Sequence, residues 1–127
     1  MAVNEFLADR IRNYLLDNHI DFFEKRMFGG LTFMVDNKMC VGLIKGKMMS
    51  RIGPDAYKDA LLKEGCTEMK FTGKPMIGYV FLNDEATDLE VDLEYWISLA
   101  LDFNPLAKAS KKNKEGLGKN QDTFLSY

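Results

Sequence analysis

Histidine, cysteine and tryptophan are scarce in this chain of 127 residues, which has one histidine, two cysteines and one tryptophan. The cysteines, Cys40 and Cys66, form no CxxC pair, and no histidine-rich motif accompanies them. Because zinc sites and thioredoxin-like sites need such spacings, we expect neither, and we expect no metal or other cofactor. The single histidine, His19, has no orienting partner or nucleophile that the sequence identifies. We therefore expect a non-enzymatic protein without catalytic residues.

Long hydrophobic runs are also absent from the sequence. No apolar run approaches the ~18 residues that a membrane-spanning helix needs, and no signal-peptide pattern occurs at the start. We therefore expect a cytoplasmic protein with reduced thiols and no membrane partner. The formal net charge of −2 argues against wholesale binding of nucleic acid.

Charge is distributed unevenly along the chain. Residues 83–104 contain seven acidic residues and no basic one, whereas residues 108–127 contain five lysines and two acidic residues. The length suits one domain with its own core. We therefore predict a single domain over residues 1–107, followed by a lysine-rich C-terminal tail over residues 108–127.

The centre of the chain has the pattern of an antiparallel sheet. Short apolar runs separated by Asn, Asp and Gly clusters are typical of hairpins, because those residues tolerate the positive φ of tight turns. They predict strands at Leu31–Val35, Met39–Ile44 and Met48–Ile52. Leu31 and Phe33 point to one face, whereas Met34 points to the other, so both faces are largely apolar. We expect helices over one face and a partly buried surface on the other.

Three helices and two more strands complete the predicted domain. They are helices over residues 4–18, 54–64 and 87–104 and strands over residues 69–71 and 77–82. Thr87 and Glu90 are spaced as a capping box for the third helix. Residues 22–28 are either an extra edge strand or the start of the first strand, and the pair Gly29–Gly30 favours a bend there. The sequence thus predicts an α+β fold, a two-layer α-β3-α-β2-α domain whose helices cover an antiparallel-rich sheet.

Three motifs follow one another along the chain. They are RMFGG at residues 26–30, RIGP at residues 51–54 and FTGKPMIGYV at residues 71–80. Together they resemble the TfoX N-terminal domain family, which is named for competence regulators of the TfoX/Sxy type. The resemblance covers about residues 5–108 and implies a small α+β regulatory domain, without a catalytic constellation. Longer members of the family carry a second, C-terminal domain where this chain has its lysine-rich tail.

Three cations lie inside these motifs, beside glycine or proline and at predicted strand ends or turns. With nearby glycines that allow close approach to the backbone, they could form a site for an anion or an acidic partner. The candidate binding residues are Arg26, Gly29, Gly30, Arg51, Gly73 and Lys74. The structural alternative is that the arginines pair across strands and the glycines make bends.

The third predicted helix has more apolar surface than one buried face requires. Its first stripe, which we expect to face the core, consists of Leu89, Leu93, Trp96, Ile97 and Ala100. Its second stripe consists of Val91, Tyr95, Leu99 and Phe103. We interpret the second stripe as the contact surface of a homodimer.

Cysteine and methionine each have two structural interpretations. Cys40 lies in the middle of a predicted strand and should be a small core residue, whereas Cys66 follows Gly65 and should be the more exposed thiol. Seven of the methionines lie in or beside the predicted sheet. They either fill the core or form an adaptable binding surface.

The sequence therefore predicts an interaction or regulatory domain. We expect a homodimer that binds an unknown protein partner through its sheet face or its third helix. Two alternatives stay open. One is a nucleic-acid-associated regulator in which Arg26, Arg51, Lys74 and the tail lysines contact phosphates. The other is a small anion- or ligand-binding protein with Arg26 and Arg51 in one pocket.

Overall fold

A computed structural model of the chain describes residues 3–27 and 29–108, except for the side chain of Phe71. Within these residues it contains one six-stranded antiparallel sheet and four helices, which confirms the α+β fold class. The helices are α1 (Glu5–Asp17), α2 (Pro54–Ala60), α3 (Asp84–Thr87) and α4 (Glu90–Phe103), followed by a 3₁₀ turn at Asn104–Leu106. The strands are β1 (Phe23–Met27), β2 (Gly30–Val35), β3 (Lys38–Ile44), β4 (Lys47–Arg51), β5 (Cys66–Phe71) and β6 (Lys74–Leu82).

The strand order in the sheet is β1-β2-β3-β4-β6-β5, and every neighbouring pair is antiparallel. Four strands therefore precede α2, and the prediction of three is wrong. The segment that the sequence leaves open is a separate edge strand, β1, with Arg26 opposite Leu31 of β2. Gly29 has a φ of +74°, so the chain turns between β1 and β2 where the sequence favours a bend within one strand.

The predicted third helix is divided into two helices. The side chain of Asn83 accepts a hydrogen bond from the Glu85 amide over 3.0 Å and caps α3. Helix α4 then begins at Glu90, with Leu89 as its N-cap residue. The Thr87 hydroxyl donates to the Asn83 carbonyl over 3.4 Å, so the predicted capping box does not form.

All four helices contribute to one core on one face of the sheet. Helix α1 is capped by the Asn4 side chain, which accepts from the Leu7 amide over 3.1 Å, and it covers the sheet as the sequence predicts. Its buried residues are Leu7, Ala8, Ile11 and Leu15. Helix α4 contributes Leu93, Trp96, Ile97 and Ala100, and these pack with Phe33, Val41, Met48 and Val80 of the strands. Burial of each large apolar side chain stabilises the fold by roughly 1.5–3 kcal/mol.

The opposite face of the sheet has a second apolar cluster, which we call the methionine face. It consists of Met49, Met69, Met76 and Tyr79, with Met39 and Phe81 partly buried against them. None of the four described helices belongs to this cluster. Its four central residues are buried, with at most 8% of their surface exposed, whereas the sequence predicts only a partly buried surface.

The chain after α4 crosses the end of the sheet beside the turn between β2 and β3. The Asn104 side-chain amide donates to the Val35 carbonyl over 3.2 Å, and the Lys38 ammonium donates to the Asn104 carbonyl over 3.0 Å. The Arg51 guanidinium then donates to the carbonyl of Lys108, the last described residue, over 3.4 Å. The rest of the predicted tail lies outside the described residues, so the domain boundary at residue 107 stays a prediction.

Candidate functional site

The three predicted anion-binding cations lie in separate parts of the sheet. Arg26 is exposed on the edge strand β1, at a position on the helix-covered side opposite Leu31. Arg51 ends β4, which is three strands away, or about 14 Å at the usual strand spacing. It lies on the opposite side of the sheet, where it contacts the Tyr79 ring. Lys74 begins β6, at the tip of the β5–β6 hairpin. The described residues therefore do not bring these cations into one pocket.

Arg51 is a buried cation that packs against aromatic rings of the same domain. Its residue surface is 4% exposed, and burial lowers the pKa of its guanidinium. The guanidinium carbon lies 5.3 Å from the ring centroid of Tyr79 and 6.0 Å from that of Phe103, which are cation–π distances. These contacts join β4, β6 and the end of α4. They give Arg51 a structural role, and anion binding at Arg51 stays a prediction.

The glycines of the predicted site are explained by the backbone conformation and by contacts between strands. A Cβ atom on Gly30 would overlap the Leu43 carbonyl oxygen, so the close approach there is between β2 and β3. Gly29 and Gly73 lie in turns with φ values of +74° and +82°, and a Cβ atom on either would meet open space. The structure thus explains these three glycines without a ligand.

Both thiols are buried, and burial disfavours their reactive form. The pKa of Cys40 is raised to about 12 and that of Cys66 to about 11. Cys66 is the more exposed of the two thiols, at 7% against 1% for Cys40, but it is still buried because β5 begins at this residue and pairs it with Leu82 in the core. The structure confirms Cys40 as a core residue. Neither thiol has the depressed pKa that a cysteine nucleophile needs near neutral pH.

Across residues 3–27 and 29–108, His, Cys, Asp and Glu side chains form no group of three that could hold a metal ion. None of the described helices is both long and apolar enough to span a membrane.

The predicted dimer stripe of α4 is divided between the interior and the surface. Leu99 packs against the edge of the core. The Phe103 ring lies so close to Gly53 that a Cβ atom there would overlap it. Val91 and Tyr95 are 68% and 40% exposed. The first half of the stripe is therefore the part that a partner can reach.

Val91 and Tyr95 line a cleft of about 530 Å³ between α4 and the segment that follows α2. The Lys63 ammonium lies 5.0 Å from the Tyr95 ring centroid. Trp96 packs edge-to-face with the Tyr95 ring, with 5.0 Å between the two centroids. We call this the helical cleft, and it is lined by Lys63, Glu64, Glu85, Ala86, Val91, Asp92, Tyr95 and Trp96. It is a partly apolar hollow with one basic and three acidic side chains around it.

Sequence reasoning missed the α2 side of this cleft. The sequence predicts a helix to residue 64, but α2 ends at Ala60. The Leu62 and Lys63 amides then donate to the Asp59 and Ala60 carbonyls in turns. Leu62 is 86% exposed as a result. Gly65 has the residue type expected just after a helix and places the predicted end at residue 64, so this signal did not identify the earlier end at Ala60.

The fold and the motifs can be compared with known proteins. No curated protein and no solved structure matches this chain. The family model described as the TfoX N-terminal domain matches residues 15–104. This range is more than half of the chain and includes all three motifs, the six described strands and helices α2, α3 and α4. The chain therefore belongs to the TfoX N-terminal domain family.

Proposed function

We propose that this domain is a non-enzymatic protein-interaction domain of the competence-regulator type, and that it pairs with a second copy of itself through the helical cleft. The exposure of Val91 and Tyr95 beside this cleft carries the proposal. Exposed apolar side chains that cluster around a hollow mark interaction surfaces in soluble proteins. Leu62 is 86% exposed, and Leu89 is 64% exposed, so the prediction that Leu89 faces the core is wrong. Each lies within two positions in the sequence of a residue that lines the cleft.

The non-enzymatic part of the proposal is supported by two observations on the candidate residues. Burial holds the thiols of Cys40 and Cys66 in the protonated form at neutral pH. Arg26 and Arg51 lie on different sides of the sheet, so they do not form the shared anion pocket of the ligand-binding alternative.

The helical cleft carries charges of both signs, so a second copy could meet it with some opposite charges in contact. Lys63 lines the cleft together with Glu85 and Asp92. A two-fold axis through the cleft would bring Lys63 of each copy towards carboxylates of the other copy. Since three acids surround the cleft against one base, a net repulsion remains. We expect added salt to screen this repulsion and to strengthen pairing.

The test is the solution mass, measured by light scattering over a range of concentrations. The wild-type chain should change from the mass of one copy to that of two, and Val91→Asp should stay at the mass of one copy. Leu16→Asp is the matched control, because Leu16 is a 60% exposed apolar residue on α1 and away from the cleft. It should pair like the wild type, and circular dichroism should show that both variants are folded. A wild-type chain that remains a single copy throughout, or a Val91→Asp variant that pairs normally, would contradict the proposal.

A further inference from the structure

A second hollow lies between the start of α2 and the last turns of α4. We call it the terminal groove. Its volume is about 400 Å³, which is within the usual size range of ligand pockets. Among the described residues it is lined by Ile52, Pro54, Asp55, Ala56, Leu99, Asp102, Phe103 and Leu106. None of these residues lines the helical cleft, which lies along the first half of α4.

The fold holds both walls of the terminal groove in place. The Gly53 amide donates to the Gly78 carbonyl over 3.0 Å, which fixes the start of α2 against β6. The Asn104 side-chain amide donates to the Val35 carbonyl over 3.2 Å, which fixes the end of α4 against the sheet. The two walls also contact each other, because the Phe103 ring packs on Gly53. A partner therefore loses little free energy in ordering this surface when it binds.

Most of the terminal groove is apolar. Six of its eight lining residues have apolar side chains. Leu106 is 73% exposed, and Leu99 and Phe103 are only partly buried. Removal of such side chains from water is favourable, and apolar side chains that share one hollow mark interaction surfaces. The groove therefore suits a partner that brings at least one large apolar side chain.

The charged residues of the terminal groove have one sign. Asp55 and Asp102 are both exposed, and the described residues that line the groove include no lysine or arginine. Within residues 3–27 and 29–108, neither carboxylate forms an ion pair. Lys58, which follows Asp55 by three positions on α2, does not line the groove. A partner therefore has to bring positive charge, and this surface would repel a phosphate or a nucleic acid.

The position of Asp102 within α4 is unfavourable for the helix. It lies in the last turn, at the negative end of the helix dipole, and that turn has no basic residue. Lys38 reaches this end from β3, but it donates to the Asn104 carbonyl over 3.0 Å. Asp55 lies in the first turn of α2, where an acid is favourable. Of the two carboxylates, Asp102 is therefore the one whose charge points to a partner.

We propose that the terminal groove binds a segment of another protein in which an arginine lies beside a large apolar side chain. The apolar side chain packs on Leu99, Phe103 and Leu106. The guanidinium donates to Asp102, and Asp55 adds to the negative potential. Arginine suits this site better than lysine, because its planar guanidinium donates two parallel hydrogen bonds to one carboxylate and its stem packs on apolar surface. The proposal is independent of pairing through the helical cleft, since the two hollows have separate linings.

Peptide selection tests this proposal. A phage-displayed library of short random peptides is selected on the wild-type chain, and peptides that also bind the chain with Asp55→Asn and Asp102→Asn are removed. The remaining peptides should contain an arginine close to a leucine or an aromatic residue. Fluorescence anisotropy of a labelled peptide from this set then gives the affinity. The double variant should bind it on the order of tenfold more weakly, and added salt should also weaken binding to the wild type.

The matched control is Asp59→Asn together with Glu94→Gln. It removes the same charge from the same two helices at positions outside the groove, so the peptide affinity should not change. Val91→Asp, which is expected to prevent pairing of two copies, should also bind the peptide like the wild type. Urea unfolding should show that Asp102→Asn is at least as stable as the wild type, because it removes an acid from the negative end of α4. This result separates a role in binding from a role in folding.

A double-mutant cycle identifies the contact between the peptide and the groove. Replacement of the peptide's arginine by glutamine should weaken binding to the wild type, but it should have little further effect on the chain with Asp55→Asn and Asp102→Asn. Leu106→Ala should weaken binding on the order of fivefold through the apolar contact. The proposal is overturned if no peptide distinguishes the double variant from the wild type, or if the peptides that do so lack arginine. Pairing of two copies that is lost in the double variant would also overturn it, because a second copy would then occupy the groove.

Discussion

The amide of Gly53 donates a hydrogen bond to the carbonyl oxygen of Gly78 over 3.0 Å, and the neighbouring Ile52 amide donates to the same oxygen over 2.8 Å. Gly78 has a φ of +95°, and a Cβ atom on it would lie 3.2 Å from the Gly53 Cα atom. This contact holds the start of α2 against the middle of β6. Two of the family motifs, at residues 51–54 and 71–80, are therefore in contact through Gly53 and Gly78. This contact is part of the fold.

Replacement of Gly78 by alanine is expected to lower the free energy of unfolding by about 3 kcal/mol, because backbone strain at positive φ adds to contact with the Gly53 backbone. Gly46→Ala is the matched control. Gly46 has a φ of +77°, but no atom lies within 4 Å of its added Cβ, so only the strain of about 1 kcal/mol remains. Urea unfolding of the two variants measures the difference. Equal losses would show that the contact with Gly53 has no energetic importance.

Ser50→Ala is expected to lower the free energy of unfolding by about 1 kcal/mol, the usual loss for one buried hydrogen bond. The Ser50 hydroxyl is fully buried and donates to the Trp96 carbonyl over 3.0 Å, which joins β4 to α4. Ser98→Ala provides the comparison, because the Ser98 hydroxyl donates to the Tyr95 carbonyl over 2.8 Å within α4 and near solvent. Its effect should stay within about 0.5 kcal/mol. Urea unfolding followed by Trp96 fluorescence measures both variants, and a larger loss for Ser98→Ala would count against this assignment.

The stabilisation from Glu24 should depend on pH. The Arg12 guanidinium donates to both carboxylate oxygens of Glu24, over 2.5 Å and 2.9 Å, and these hydrogen bonds lower the pKa of Glu24. A carboxylate whose pKa is lower in the folded state stabilises the fold at pH values above the ordinary glutamate pKa of about 4.3. This stabilisation is lost as the pH falls through the pKa of the folded state. Glu24→Gln should therefore be less stable than the wild type at pH 7, and the difference should shrink under acid conditions.

Thermal unfolding from pH 7 down to the acid range measures this difference for Glu24. Lys25→Gln, which removes an exposed charge from the same strand, should give a loss that does not shrink in the same way. A constant difference between Glu24→Gln and the wild type at every pH would show that the ion pair is not its source.

The two thiols should react slowly with iodoacetamide in the folded protein. At pH 8 the raised pKa values, about 12 for Cys40 and about 11 for Cys66, leave little thiolate. We expect labelling at least about a hundredfold slower than for an unperturbed thiol of pKa near 8.5, with Cys40 the slower of the two. Mass spectrometry after timed labelling, with and without urea, measures these rates. Native labelling of Cys66 at the rate seen in urea would contradict the buried position.

Local sequence signals predicted the elements that carry a strong repeating pattern. The turn between β2 and β3 has positive φ at Asp36 and Asn37, as the sequence predicts. Strand β1 lacked such a signal, because its residues Phe23–Met27 are mostly exposed and include Glu24, Lys25 and Arg26. Charged residues are a common protection of sheet edges, and they remove the apolar alternation by which a strand is recognised.

The candidate surfaces were predictable only in part, for a similar reason. The excess apolar surface of α4 is visible in its sequence, and Val91 and Tyr95 are indeed exposed. The sequence could not show that Phe103 packs against Gly53, because these residues are 50 positions apart and meet only when α4 lies on β4. The same applies to Cys66, which is buried because β5 begins there.

The sequence by itself determined the α+β class, the hairpins, a sheet with two apolar faces and, through its three motifs, membership of the TfoX N-terminal domain family. Tertiary structure alone decided the position of β6 between β4 and β5. That position places Tyr79 beside Arg51, and the order of the first four strands leaves Arg51 three strands away from Arg26. Periodicity and turn residues act over a few positions, whereas strand order depends on which distant apolar faces pack together, so no local pattern encodes it.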